Sequence, residues 1–156
     1  MKVVGIDPSP RSVNIAFLEK TPDGVVCHFH DAWDIAAGDR LGAYVTVRKR
    51  LIENLQVWQP DSVCITAFEP MSLLKGKPGA TWFKTAEVRG VIAEAARSLK
   101  KNVELRMRNT VKKSMDQGAV KDLLGNDAFW ATALTASIPK KYREPALLAL
   151  SRIQQG

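Results

Sequence analysis

Residues 2–20 have the sequence KVVGIDPSPRSVNIAFLEK, in which two strand-like segments are separated by a Pro-Ser-Pro bend. The apolar run 2–6 predicts a buried strand, and the alternating pattern in 12–20 predicts a second strand directly after the bend. Asp7 ends the first predicted strand. An acid in this position is either an ordinary turn residue or part of a functional site.

The next segment indicates an antiparallel arrangement. The sequence TPDG at 21–24 is a turn signal, because proline presets its φ angle and glycine tolerates a positive one. The run 25–35, rich in β-branched and aromatic residues, then predicts a third strand. Three consecutive strands joined by short connections predict an antiparallel meander.

The rest of the chain alternates helix and strand patterns. These elements are, in order, helix 39–58, strand 61–68, helix 81–101, strand 103–107, helical segments within 109–136 and a last helix at 143–154. The first strand of this series is apolar on both faces, which predicts a central position with a parallel neighbour. The order is that of an α/β protein with a mixed sheet. The length of 156 residues fits a single domain, 1–156.

The charge balance indicates a polyanionic partner. Lys and Arg number 23 against 16 Asp and Glu, which gives a net charge of +7. A small basic protein of this kind often binds nucleic acid, although a solvated basic surface produces the same composition.

The sequence carries no signal for a membrane or an export route. It has no run of about 18 apolar residues and no signal peptide, so no membrane association is expected. Cys27 and Cys64 fit no metal-binding spacing and are predicted to be reduced thiols. We therefore expect a cytoplasmic protein.

Two acids follow two of the predicted strands. Asp7 comes after the first apolar run, and Glu69 follows 61–68. Sites in α/β sheets lie beyond the carboxyl ends of the strands, where these two side chains would converge if the strands are parallel neighbours. Converging carboxylates repel each other unless a cation pairs them, and Mg²⁺ prefers oxygen ligands. Two such ions about 4 Å apart would hold the attacking and leaving oxygens of a phosphodiester.

Three stretches of the sequence resemble the RuvC-type Holliday-junction resolvases of the RNase H-like superfamily. GIDPSPRSVNIAFLE at 5–19 is similar to the first motif of that family, and CITAFEPM at 64–71 resembles the second, a strand that ends in glutamate. TAEVRGVIAEAARS at 85–98 is similar to the helix that follows, with its Arg-Gly pair and alanine-rich continuation. The resemblance covers nearly the whole chain and is most specific over 3–19 and 62–98.

The resemblance implies a fold, an activity and a set of partners. The fold is a mixed five-stranded sheet flanked by helices, and the activity is metal-dependent cleavage of four-way DNA junctions. Asp7 and Glu69 carry over as ligands of two Mg²⁺ ions, for which Mn²⁺ can substitute, and no small-molecule organic cofactor is implied. The family works as a homodimer, with the helix at 81–99 at the interface. An ordinary amphipathic core helix has the same sequence pattern.

The last helix departs from the family pattern. The family opens this helix with one or two aspartates, whereas the sequence here is KKYREPALLALSRI at 140–153. Alignment on ALLAL puts Arg143 and Ala146 at the acidic positions, and Glu144 is the nearest carboxylate. We therefore predict Glu144 as the third catalytic and metal-binding residue. Three weaker substitutes are Asp116, Asp122 and Asp127.

Several basic residues are candidate contacts to DNA phosphates, which would give affinity without sequence preference. They are Arg11 after the first strand, Lys75 and Lys77 in the loop 70–80, Arg106, Arg108, Lys112 and Lys113 in RMRNTVKK, and Lys121 in a Val-Lys pair. Any one of them is also compatible with a solvated surface position.

The loop has an apolar set, Met71, Leu73 and Leu74, that would act as a wedge at unstacked bases. Trp82 and Phe83 are predicted to be core residues.

The predicted function is a structure-selective endonuclease that cleaves branched DNA as a homodimer. Three alternatives have the same fold. One is an inactive protein that only binds branched DNA, as the missing C-terminal aspartate indicates. Another is an RNase H-like nuclease that acts on RNA or RNA–DNA hybrids. The third is a structural RNase H-like domain with no nucleic-acid role.

Overall fold

The fold was analysed in a computed structural model, which describes residues 1–68, 79–115 and 119–156. The strands are β1 (Lys2–Pro8), β2 (Ser12–Thr21), β3 (Gly24–Asp34), β4 (Ser62–Thr66) and β5 (Asn102–Arg106). The helices are α1 (Arg40–Trp58), α2 (Ala80–Ser98), α3 (Arg108–Met115), α4 (Val120–Gly125), α5 (Asp127–Ala133) and α6 (Arg143–Ile153), with a 3-10 turn at Lys140–Tyr142. None of these helices in the described ranges is long and apolar enough to cross a membrane.

The five strands form one mixed sheet in the order β3-β2-β1-β4-β5. β1 and β2, and β2 and β3, pair antiparallel, which is the predicted meander. β1 and β4, and β4 and β5, pair parallel. The register aligns Ile6 with Ile65, so Asp7 and Thr66 lie side by side at the carboxyl edge. The prediction of a mixed sheet in an α/β fold is confirmed.

Helices cover both faces of the sheet. On one face, Val4 and Ile6 of β1 belong to a core that includes residues of α1 and α2. On the other, Val3 belongs to a core with α3, α4, α5 and α6. Successive strand residues point to opposite faces, so β1 contributes to both cores and is buried on both sides. This double burial explains the unbroken apolar run of β1.

The first turn of α6 lies directly against the backbone of β1. A Cβ atom on Gly5 would lie 1.8 Å from the carbonyl oxygen of Pro145. Only glycine permits this approach, because any side chain at position 5 would overlap the helix. The close contact brings the start of α6, and Glu144 with it, towards the end of β1 that carries Asp7.

We predict that Gly5→Ala destabilises the protein. Overpacking of a close contact costs about 1–3 kcal/mol, and each kcal/mol lowers the melting temperature by about 2–4 °C in a protein of this size. A thermal melt followed by circular dichroism measures the change. Gly38→Ala is the control, because a Cβ there meets nothing within 4 Å. If Gly5→Ala and Gly38→Ala had the same melting temperature, the result would mean that α6 tolerates displacement from β1.

Period-two alternation along 25–35 predicts that His28 and His30 share one face of β3. This prediction is wrong, because the β2–β3 register shifts between Phe17 and Leu18. This β-bulge inserts His28 as an extra residue, which reverses the side of the sheet that the following residues face. His28 lies beside Phe17 on one face, with ring centroids 5.5 Å apart, and His30 lies beside Tyr142 on the other, at 4.6 Å.

Candidate active site

Asp7 lies at the carboxyl edge of the sheet and is held by the neighbouring strand. The hydroxyl of Thr66 donates a 2.8 Å hydrogen bond to Asp7 Oδ1. Because β1 and β4 are parallel, both side chains emerge at the same edge. The orientation of the Asp7 carboxylate is therefore set by the residue that ends β4.

Glu144 is the second acid at this edge. It lies in the first turn of α6, where Arg108 donates two hydrogen bonds, of 2.7 and 3.1 Å, to its Oε1 atom. Asp7, Glu144 and Arg108 line one cleft of about 310 Å³. The sequence comparison of the last helix predicted this acid at the site, and the structure brings it together with Asp7.

The residues of this cleft shift the pKa of Asp7. Burial, and next the nearby charge of Glu144, raise the pKa of Asp7 from 3.8 to about 6. The hydrogen bond from Thr66 and the charges of Arg108 and Arg89 act in the opposite direction. Ionisation of Asp7 in this cleft is therefore energetically unfavourable. A cation bound beside its carboxylate would stabilise the ionised form.

The residue that aligns with the expected aspartate has a structural role instead. Arg143 is buried, and its guanidinium donates to the carbonyl oxygen of Leu124 at 3.0 Å and to Asp127 Oδ1 at 2.6 Å. Asp127 is therefore engaged on α5, and neither it nor Asp122 lines the cleft of Asp7. Asp116 lies outside the described residues.

The donor set of the cleft fits a divalent cation. The two described acids, Asp7 and Glu144, offer hard carboxylate oxygens of the kind that Mg²⁺ and Mn²⁺ bind. Glu69, the other predicted ligand, lies outside the described residues. Within the described ranges no group of three or more His, Cys, Asp or Glu side chains could hold a metal ion. The two carboxylates thus form a partial site at the edge where Glu69 was predicted to arrive.

Arg89 is a residue of this site that the reasoning on catalytic residues did not single out. It is 8% exposed, lines the cleft of Asp7, and donates from Nε to the carbonyl oxygen of Thr66 at 2.6 Å. Its guanidinium carbon lies 3.6 Å from the centroid of the Phe68 ring. The helical period puts Arg89 on the same stripe as Ile92 and Ala96, and a charged residue on a buried stripe is the signal that would have found it.

Five of the predicted DNA contacts are exposed, and Arg108 among them lines the cleft of Asp7. Arg108 also lines a neighbouring cleft of about 260 Å³, together with Lys112 and Lys121. Arg11 lines a smaller cavity, of about 170 Å³. Lys113 is exposed on α3. Lys75 and Lys77, and the apolar set of the same loop, lie outside the described residues.

The prediction that Arg106 contacts DNA phosphates is wrong. Its side chain is only 3% exposed, and its Nη2 atom donates to Gln155 and, at 3.4 Å, to Ser114. Because β5 directs this side chain under α3 and the end of α6, Arg106 is not accessible to a phosphate. It joins elements of the fold instead of contacting DNA.

The prediction that Trp82 and Phe83, the aromatic pair at the start of α2, are core residues is wrong, because neither belongs to the two cores of the described residues. Phe83 is 55% exposed and does not belong to the core. Trp82 is half-buried and stacks on Phe68, with ring centroids 4.3 Å apart. The stack continues from Phe68 to Arg89, and Phe68 itself lines the cleft of Asp7.

Comparison with solved structures identifies the fold. The chain is similar to Thermus thermophilus RuvC in complex with a Holliday junction substrate, with a TM-score of 0.81 and 15% identity over 99% of this chain and 94% of that chain. It is also similar to the yeast mitochondrial Holliday junction resolvase Ydc2 (TM-score 0.60, 13% identity, 97% and 77% covered). A third neighbour is the fowlpox virus Holliday junction resolvase (TM-score 0.56, 13% identity, 99% and 99% covered). No family model and no curated protein matches the sequence. The predicted RNase H-like fold of the RuvC type is confirmed.

Proposed function

We propose that this protein, which has the fold of the RuvC-type resolvases, is an endonuclease that cleaves four-way and other branched DNA. The observation that carries the proposal is the convergence of Asp7 and Glu144 in one cleft at the carboxyl edge of the sheet. Basic side chains that line this cleft and a further cavity, Arg108 and Arg11 among them, supply the positive surface that a phosphodiester backbone requires.

Asp7, Glu144 and Glu69 are the proposed ligands for Mg²⁺, or for Mn²⁺ in its place, with two ions in each site. Such ions supply an activated water and stabilise the charge that develops on the phosphate. The chain's own residues orient the ligands: Thr66 holds Asp7, and Arg108 holds Glu144. Arg108 also faces the neighbouring basic cleft, so it is suited to contact the DNA backbone beside the cut.

We propose a homodimer as the functional form. A four-way junction offers two symmetric strands, and two copies of one site cut both in a coordinated way. The helix α2 is the proposed interface element, as the resemblance implies. Lys112, Lys113, Lys121 and Arg11, with Lys75 and Lys77 of the loop after Glu69, are the proposed phosphate contacts on each copy.

A cleavage assay on a synthetic four-way junction tests the function. The purified protein is incubated with labelled junction in Mg²⁺ or Mn²⁺, beside a linear duplex and an RNA–DNA hybrid of matched sequence. We expect metal-dependent cuts in the junction and little cutting of the two linear substrates. Preferential cutting of the hybrid would instead identify an RNase H-like activity.

An inactive junction-binding protein is the second candidate, because Arg143 takes the expected acidic position and points away from the cleft. The same assay distinguishes it. Tight junction binding without cutting, across a range of protein and metal concentrations, would exclude the endonuclease and favour the binding protein.

A further inference from the structure

A second cavity at the same edge of the sheet is lined by three basic side chains. Its volume is about 170 Å³, and its lining includes Arg11, Arg40, Thr81 and Lys84. No acidic residue is among the described residues that line it. It lies between the bend after β1 and the first turns of α1 and α2.

Arg40 gives this cavity a fixed wall. Its guanidinium donates to the carbonyl oxygen of Pro10 at 2.7 Å and to the carbonyl oxygen of Lys84 at 3.4 Å, which ties the bend to α2. It also lies 3.7 Å from Glu87, the nearby acid that partly balances its charge. Arg11 and Lys84 have no ion-pair partner among residues 1–68, 79–115 and 119–156. Arg11 and Lys84, beside the hydrogen-bonded Arg40, therefore line one small space to which the described part of the chain contributes no acidic side chain.

The position of this cavity relative to the acidic cleft suggests its ligand. Thr81 lines the basic cavity, and Thr85, one helical turn later, lines the cleft of Asp7. The Thr85 hydroxyl donates to the carbonyl oxygen of Thr81 at 3.0 Å. On the other side, Arg108 lines both the cleft of Asp7 and the one that contains Lys112. The acidic cleft thus lies between two basic ones along a single edge.

We propose that the cavity of Arg11, Arg40 and Lys84 binds a phosphate of the DNA backbone that is not the one cleaved. Like charges that converge on a confined space favour an anion, and a phosphodiester is the anion that DNA bound at the neighbouring acidic cleft would present to this cavity. This inference rests on the proposed function. It assigns to Arg40, Thr81 and Lys84 a role that the basic runs in the sequence did not indicate.

The salt dependence of junction binding tests the site. Lys84→Gln and Arg11→Gln each remove one charge from the cavity, and Lys20→Gln is the matched control, because Lys20 is exposed at the far end of β2. Affinity for a synthetic junction is measured by fluorescence anisotropy at several salt concentrations, without divalent metal. We expect the slope of log Kd against log salt to fall by about 1 for each cavity variant and to stay at the parent value for the control. Equal slopes for the cavity variants, the control and the parent would overturn the inference while leaving the proposed function intact.

A measurement without DNA separates the two hypotheses further. Inorganic phosphate is titrated into the ¹⁵N-labelled protein, and the backbone amide shifts of Thr81 and Lys84 are followed. We expect saturable shifts in the parent that weaken in Lys84→Gln. If the parent fails to bind junctions, the proposed function is wrong, and the titration then decides whether the cavity is an anion site. If the parent binds junctions, equal slopes reject the cavity as a phosphate site; if it does not, the absence of saturable shifts rejects it.

A different observation concerns Arg89. Its Nη1 atom is buried and has no hydrogen-bond acceptor among the described residues, although its Nε atom donates to Thr66. Thr66 in turn holds Asp7, and Phe68 lies under the guanidinium. A buried guanidinium with an unpaired donor is costly, so its retention calls for a compensating role. We infer that Arg89 is a positioning residue that fixes the end of β4 and, through Thr66, the Asp7 carboxylate.

Substitution of Arg89 tests this inference, which also rests on the proposed function. We expect Arg89→Gln to lower the cleavage rate at least about tenfold with unchanged junction affinity, because small displacements of a catalytic group cost rate and not binding. Arg89→Lys retains the charge but not the planar fork, and is expected to restore little of the rate. Arg97→Gln, on the exposed last turn of α2, is the control.

A second variant covers the case in which Arg89→Gln does not fold. Thr66→Val removes the hydroxyl that holds Asp7 and retains the side-chain shape. It is expected to reproduce the loss of rate and to raise the Mn²⁺ concentration needed for half-maximal protection in thermal melts. Parent-like cleavage and Mn²⁺ protection in Thr66→Val and Arg89→Lys would show that Arg89 has only a structural role.

Discussion

Asp7→Asn is expected to abolish junction cleavage while junction binding is retained or improved. Metal ligation of the scissile phosphate contributes several kcal/mol to the transition state, and each 1.4 kcal/mol or so is tenfold in rate, so we expect a loss of at least about a hundredfold. Binding is retained because the variant removes a negative charge beside the phosphate. Gel-based cleavage and anisotropy on one junction measure both properties.

Asp31→Asn is the matched control for this experiment. Asp31 is an acid of β3 whose side chain pairs with Arg50 and lies away from the cleft. It undergoes the same chemical change without touching the proposed site. Cleavage by Asp7→Asn at the parent rate would show that Asp7 is not a metal ligand, whatever the substrate.

Asp7→Asn also has a predicted effect on the stability of the metal-free protein. The pKa of Asp7 is about 6 in the folded chain, above its ordinary value of 3.8. Between these values the folded state binds more protons than the unfolded state, so stability falls as the pH rises through this range and the full penalty is present above it. Asp7→Asn removes the penalty, which is at most about 3 kcal/mol by the linkage of 1.36 kcal/mol per pKa unit. In thermal melts with EDTA, we expect the melting temperature of Asp7→Asn to exceed that of the parent at pH 7.5 and to be close to it at pH 4.

Glu144→Gln is expected to give the second largest loss of cleavage, again about a hundredfold or more. Gln keeps the length and shape of Glu and removes the anionic oxygen that a divalent ion requires. Junction cleavage with a titration of Mn²⁺ measures the result, since a weakened site needs more metal. The prediction is important because the sequence around Glu144 departs from the family pattern.

A surface control and a partner variant make that result interpretable. Glu53→Gln changes an exposed acid of α1 that pairs loosely with Lys49, and is expected to have no effect. Arg108→Gln removes the donor of the two hydrogen bonds to Glu144 Oε1. If Glu144 served only to pair with Arg108, the two variants would lose activity equally and neither would change the Mn²⁺ requirement.

The strand that carries Asp7 was predictable because its pattern is local. The apolar run before the acid, the Pro-Ser-Pro bend and the alternation after it each depend on residues within a short window. The structure extends β1 through Pro8 and confirms the meander and the parallel pairing of β1 with β4. By contrast, the bulge at His28 follows from the pairing of β3 with its neighbour, which no local pattern records.

The fate of the basic residues was not predictable one by one. Arg106 and Arg108 are two positions apart in a basic run, yet Arg106 is buried beneath α3 and Arg108 lines the acidic cleft. The run fixes the charge of the segment but not the side to which each guanidinium points. Arg143 shows the same limit, since its partners Leu124 and Asp127 are distant in sequence.

The sequence by itself determined the order of the strands and helices, the position of Asp7 at a strand end and the basic character of the surface. These depend on side-chain periodicity and on charge, which are properties of the chain. Only the tertiary structure decided that Glu144, and neither Asp122 nor Asp127, lies with Asp7. The reason is a contact between distant residues: Gly5 admits the first turn of α6 against β1, and Arg108 fixes the carboxylate that this turn carries.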